Sequence, residues 1–226
     1  MQKLTFVIGA NAAGKTYFIE HHLANEKAVV LDVYDYQQKV YDEHGNKERI
    51  TFEEQFRCLK KANEKHLHDI INELKQGNNV IAEQTYFKAK RRIAYIDEIR
   101  NEIDVKIEVY VMHPSNERWI ENSKKREDIK NIEVYENQKN QMEFPNPAEG
   151  FDAIFEVVDD EIILRMDDIK PEIVKQARQE LTEEDTRIRR EDELPLPIVI
   201  NEQLTPEEKI IWQRIKAEPE SLLEEK

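Results

Sequence analysis

The sequence predicts an α/β fold: a parallel five-stranded sheet flanked by helices, followed by a helical, charged C-terminal extension. Three observations predict it. Short apolar runs alternate with helical stretches from the N-terminus to about residue 158. Gly9 and Gly14, two of only 5 glycines, bracket a tight connection between the first run and the first helix. Beyond about residue 165 the chain turns to mixed charge and proline, which sets a core over 1–165 apart from an extension over 166–226.

Residues 4–8 form a continuous apolar run that ends at Gly9 and reads as a buried strand. Residues 16–24 follow with helical character. Residues 28–33 form a second run rich in β-branched residues, with Asp32 and Asp35 at its end. His44-Gly45-Asn46 marks a turn. Thr51-Phe-Glu-Glu54 is a capping box that opens a helix to about Gln76, with Gly77 suited to stop it. Residues 79–82 make a third strand ending in Glu83-Gln84-Thr85, and 88–101 a helix. Residues 105–112 alternate as a fourth strand. Pro114-Ser115 starts a charged helix to about Glu127, and 132–142 a polar one. Residues 151–158 are the fifth strand, which Asp159-Asp160 turns into a hairpin with 162–164. In the extension, 167–181 reads as a helix with Pro171 in its first turn. Residues 183–193 are mixed charge and 194–197 extended. Thr205-Pro-Glu-Glu208 caps a helix carrying Ile210, Ile211, Trp212 and Ile215, which packs on the core or contacts a protein partner.

The β-α alternation implies a parallel sheet with helices on both faces, and such sheets bind ligands beyond the carboxyl ends of their strands. The Gly9–Thr16 segment, Asp32 and Asp35, Glu83 to Thr85 and His113 all fall at such ends.

A net charge of −14 argues against broad duplex nucleic-acid binding, which needs Lys and Arg to displace counterions. A single cysteine, Cys58, leaves neither an intrachain disulfide nor a Cys-based zinc site. The N-terminus lacks the basic start and longer apolar run of a signal peptide, and no stretch approaches membrane-spanning length. The expectation is a cytoplasmic protein without a membrane association.

Gly9-Ala10-Asn11-Ala12-Ala13-Gly14-Lys15-Thr16 matches G-x-x-x-x-G-K-[ST] at every fixed position, after a strand and before a helix. Backbone N–H groups of such a loop wrap a β-phosphate, the lysine reaches the β- and γ-phosphates, and the threonine hydroxyl meets Mg²⁺. The motif predicts binding of a nucleoside triphosphate. The loop interior has no third glycine; its alanines still permit close approach, and Asn11 tolerates a left-handed backbone.

A phosphate loop does not by itself separate a kinase from an ATPase. Asp32 and Asp35 offer carboxylates that could take a proton from an attacking hydroxyl, or could cap a helix. Glu83 is the candidate to hold Mg²⁺ or meet substrate; the bland alternative is a polar strand end. Arg118, Lys124, Lys125, Arg126 and Lys130 make a local positive segment in an acidic chain, with Arg118 and Lys125 seven residues apart on one helix face. It reads as a lid over about 114–145, or as a solvated surface. Arg91 and Arg92 either bind acceptor phosphate or pair with Asp97 and Glu98.

With these residues in place, residues 1–158 resemble the P-loop kinase group that includes bacteriophage polynucleotide 5′-kinase and the zeta toxins. The resemblance implies a P-loop NTPase or kinase-like fold using ATP and Mg²⁺. It puts Asp35 at the general-base position, Thr85 and Arg91-Arg92 at the third-strand Thr and following Arg pair, and Arg126 at the lid arginine that contacts donor phosphates. Glu83-Gln84-Thr85 is similar to the Glu-Gly-Thr of zeta toxins. Gln38 and Gln84 replace an Arg and an Asp of the polynucleotide kinases, so the resemblance implies a kinase without fixing the acceptor.

The expected activity is transfer of the γ-phosphate of ATP to a hydroxyl of a small molecule or a nucleic-acid end. Lys15, Asp35, Arg118 and Arg126 are the catalytic candidates; Thr16 and Glu83 bind metal; Asp32, Thr85 and Arg91 face substrate. A non-catalytic nucleotide-dependent interaction protein or a simple NTPase is the alternative.

Overall fold

The computed structural model describes residues 2–43, 51–126 and 132–181. The turn at residues 44–46, Lys130 and everything expected beyond residue 181, including the second capping box and the Ile210–Ile215 segment, lie outside the described residues.

Strands β1 (Lys3–Gly9), β2 (Ala28–Asp32), β3 (Asn79–Gln84), β4 (Lys106–Met112) and β5 (Ala153–Val158) pair in parallel. The five expected strands are all present, and a sixth, β6 (Glu161–Met166), runs antiparallel on β5. The sheet order is β2-β3-β1-β4-β5-β6. Asp159 and Asp160, at φ 45 and 74, supply the two left-handed residues of the tight turn before β6.

The described residues also form helices α1 (Lys15–His22), α2 (Val33–Glu43), α3 (Phe52–Lys75), α4 (Ala89–Glu102), α5 (Asn116–Lys124), α6 (Ile132–Gln141) and α7 (Pro171–Gln179). The central strand β1 is buried on both faces, which is why it reads as a continuous apolar run. Leu4, Phe6 and Ile8 join Ile70 and Leu74 of α3 and Ile96 and Ile99 of α4. Val7, on the opposite face, joins Phe18 and Ile19 of α1 with Tyr110 and Val157. Helix α3 carries the expected cap: Thr51 Oγ1 accepts from Glu54 N at 3.3 Å, and Thr51 N donates to Glu54 Oε2 at 2.7 Å.

Several boundaries differ from expectation, and two of the differences have a clear physical reason. Val33 starts α2 instead of ending β2, because Val33, Tyr36, Gln37, Val40 and Tyr41 recur at helical spacing and are buried. Helix α7 starts at Pro171, not at Asp167, because proline forces the residue before it out of helical conformation; Lys170 is extended at φ −69, ψ 148. Arg178 of α7 donates to Asp97 of α4 at 2.7 and 2.9 Å and to Ala148 O at 2.7 Å, which fixes the helix on the body of the domain.

His66 of α3 is fully buried, with Nε2 3.0 Å from Leu31 O at the end of β2. A ring nitrogen facing a carbonyl must donate, so Nε2 carries a proton, while the buried Nδ1 has no hydrogen-bond partner. Burial pushes its pKa down to about 4. An unfolded histidine titrates near 6.5, so between these values the unfolded chain takes up a proton that the folded one refuses. The stability present above about pH 6.5 should therefore be lost as pH falls towards 4, by roughly 3 kcal/mol in full. Urea unfolding at pH 7 and pH 4.5 checks this: His66→Gln should lose 2–3 kcal/mol less (roughly) than the parent chain between these two conditions.

Candidate active site

β1 lies between β3 and β4, so the chain leaves it where the sheet's connections diverge to either side, the position at which open α/β sheets form a crevice. Gly9 ends the strand, and a Cβ there would stand 2.9 Å from Met112 Cβ of the neighbouring strand, so only glycine permits the approach. Gly14, at φ 91, is the N-cap of α1, and its left-handed backbone turns the loop into the helix. The other left-handed residue is Ala12, at φ 60; the sequence pointed to Asn11 for that role. Asn11 instead spends its side chain on Tyr34, whose hydroxyl donates to Asn11 Oδ1.

Lys15 folds back over the loop, its Nζ donating to Gly9 O at 3.3 Å and Ala10 O at 3.2 Å. Thr16 Oγ1 donates to Glu83, 3.0 and 3.2 Å from the two carboxylate oxygens. Asp32 stands opposite Glu83 in the β2–β3 register, which brings a second carboxylate alongside. Burial dominates all three ionisable groups: it lowers the pKa of Lys15 and raises those of Asp32 and Glu83. The Lys15 charge pulls both carboxyls back towards the ionised form, and the charge of Arg126 acts on all three groups. Two carboxylates and an ammonium held out of water are poised to gain from further cation and phosphate charge.

A cavity of about 410 Å³ opens over this group. Residues 12–17 of the loop and α1 line it together with Glu83, Met112, Pro114, Val157, Asp159 and Asp160, and α5 with its C-cap residue and Arg126 contributes Arg118, Asn122, Lys125 and Arg126. Arg118 and Lys125 thus share the face the spacing predicted. Arg118 also pairs with Asp160 at 2.9 Å, and Ser115 N donates to Asp159 Oδ1 at 3.0 Å, so the β5–β6 turn braces the start of α5.

The other candidates lie apart from this cavity. Asp35 is exposed in the first turn of α2, three residues beyond Asp32, and its charge is felt there. Thr85 is buried just past β3. Arg91 is buried with its guanidinium 5.6 and 5.7 Å from the rings of Tyr86 and Tyr95. Arg92 pairs with Glu149 at 2.5 and 2.8 Å and donates to Tyr86 O and Glu143 O, so it is neither a phosphate ligand nor a partner of Asp97. Asp97 pairs with Arg178. Tyr34, Trp119 and Gln138 were not among the sequence candidates; with Asn122 of the lid segment, their polar atoms all bind residues 11–12 of the loop. A tryptophan beside Ile120 in the otherwise polar α5 was the one legible signal among them.

Comparison with known proteins places this geometry in a family. A family described as an AAA domain matches residues 4–145. Among solved structures, a candidate kinase from Chloroflexus aurantiacus is 18% identical over 79% of this chain and 94% of its own, with a TM-score of 0.57. The PezAT chromosomal toxin–antitoxin system of Streptococcus pneumoniae is 14% identical over 100% of this chain and 88% of that one, with a TM-score of 0.50. No curated protein matches the chain. Among the described residues no helix is long and apolar enough to cross a membrane. With its phosphate loop, its sheet order and its matched span, the chain belongs to this AAA domain family and has a P-loop, kinase-like fold.

Proposed function

We propose that the chain is an ATP- and Mg²⁺-dependent phosphotransferase that moves the γ-phosphate of ATP to a hydroxyl of a small molecule or a nucleic-acid end. In this reading residues 1–165 are the catalytic core with a lid over about 114–145, and 166–226 are an extension. The observation that carries it is the convergence of Lys15, Thr16, Glu83, Arg118 and Arg126 on one cavity at the strand ends.

The donor phosphates enter at the N-terminus of α1, where free N–H groups favour an anion. Lys15 exchanges its loop carbonyls for phosphate oxygens. The Thr16 hydroxyl and the Glu83 carboxylate, 3.0 Å apart, form a set of hard oxygen donors of the kind Mg²⁺ requires, so these two residues would hold it. When bound, the ion neutralises phosphate charge. The acceptor oxygen bonds to the γ-phosphorus, the bond to the bridging oxygen breaks, ADP leaves, and Asp35 takes the hydroxyl proton. Arg126 and Arg118 offset the charge on the transferred group. Asp32, Thr85 and Arg91 would face the acceptor.

Lys15→Ala tests the donor half. It should lower turnover by roughly 100- to 1000-fold, the usual loss when one charge-stabilising donor leaves a transition state. ATP turnover within a few-fold of the parent chain would rule out a transferring role for this loop.

A further inference from the structure

Helices α5 and α6 of the proposed lid hold the middle of the phosphate loop. Trp119 Nε1 donates to Asn11 O at 2.7 Å and Asn122 Nδ2 to Ala12 O at 3.1 Å, both from α5. Asn11 N donates to Gln138 Oε1 of α6 at 2.7 Å. Trp119 and Gln138 are buried, at 2% and 5% exposure, and Trp119 packs against Ala10 and Ala12.

A peptide unit is a rigid trans plane whose C=O and following N–H point in opposite directions. Holding Asn11 O on the outside therefore turns Ala12 N–H towards the cavity that Ala12 lines. Holding Asn11 N on the outside turns Ala10 O inward, where it accepts from Lys15 Nζ and from Ala13 N, each at 3.2 Å. These constraints matter because Ala12, at φ 60, occupies a backbone region that an L-residue leaves when unbraced. A loop with more glycine would meet no such resistance; this one is kept in place by its neighbours.

We infer that Trp119 and Gln138 are positioning residues for the donor loop, so that ATP affinity depends on the lid helices being docked on Asn11. The inference rests on the proposed ATP-dependent function. It is tested with Trp119→Phe, which removes the indole N–H, and Gln138→Met, which removes the acceptor at similar volume. Calorimetric titration with Mg·ATP should give a Kd about tenfold weaker for each, because a loop no longer held in its binding conformation must be ordered when the ligand binds, at a cost on the scale of one hydrogen bond. KM should rise by the same factor while kcat stays within about threefold. A purely architectural role would lower the melting temperature of the free protein and leave the Kd unchanged, and an unchanged Kd in both variants overturns the inference. Should Trp119→Phe fail to fold, Gln138→Met alone decides. A parent chain that does not bind Mg·ATP overturns the proposed function and this inference with it; a parent that binds with unaffected variants overturns the inference alone.

Discussion

Asp35→Ala should lower phosphoryl transfer by roughly 100- to 10,000-fold, the range a general base contributes, while leaving the Kd for Mg·ATP within about twofold. The separation of effects follows from position. Asp35 is exposed on the first turn of α2 and is not among the residues lining the donor cavity, whereas Lys15, Thr16 and Glu83 are. In the proposed reaction, removing its carboxylate takes away the proton acceptor and leaves the residues that line the donor cavity in place. Asp32→Asn is the informative companion. Asp32 accepts from Tyr34 N at 2.9 Å, and burial raises its pKa, which makes it more basic than an exposed aspartate. Transfer intact in Asp35→Ala but lost in Asp32→Asn would move the base to Asp32.

Arg92→Met should destabilise the fold by about 3–5 kcal/mol, the cost of leaving one charge of a buried pair without its partner. Glu149 has 0% exposure, and its carboxylate takes two hydrogen bonds from the Arg92 guanidinium and one from Asn146 N. Burial already raises the Glu149 pKa with Arg92 present. Without Arg92 the carboxyl must bury a bare charge or take up a proton, so the deficit should shrink as pH falls. Two carbonyls, Tyr86 O and Glu143 O, would lose donors as well. Urea unfolding measures the loss. Arg92→Met combined with Glu149→Met should recover a large part of it, because the pair's gain is offset by its desolvation. A double variant as unstable as the single one would show that the two carbonyls, rather than the stranded carboxylate, set the cost.

The phosphate loop was legible in the sequence because its chemistry needs contiguous residues: a glycine where strands meet, a glycine that enters the helix, then Lys15 and Thr16. Strands β1 and β3 were legible for a related reason, since strands buried on both faces leave apolar runs, whereas β4 was legible by its alternation. Helix α2 was obscured because Val33 continues the apolar run of β2, and only its buried partners at helical spacing reveal it. The role of Arg92 was hidden by distance, as Glu149 lies 57 residues away. The bracing of Asn11 was hidden further still, by Trp119 and Gln138 at separations of 108 and 127. Ala12 took the left-handed position expected of Asn11 because surrounding helices, rather than the local preference of the residue, hold that part of the loop.

In the proposed reaction the γ-phosphate of ATP ends on a hydroxyl. Its most direct test is to incubate the full chain with Mg²⁺ and ATP labelled at the γ-phosphate, in the presence of nucleosides, sugars, nucleotide sugars and nucleic-acid 5′ ends. The label should appear covalently on an acceptor with the parent chain and not with Lys15→Ala. Label released only as inorganic phosphate would make the protein an NTPase, and label left on ATP throughout would contradict a transferring role altogether.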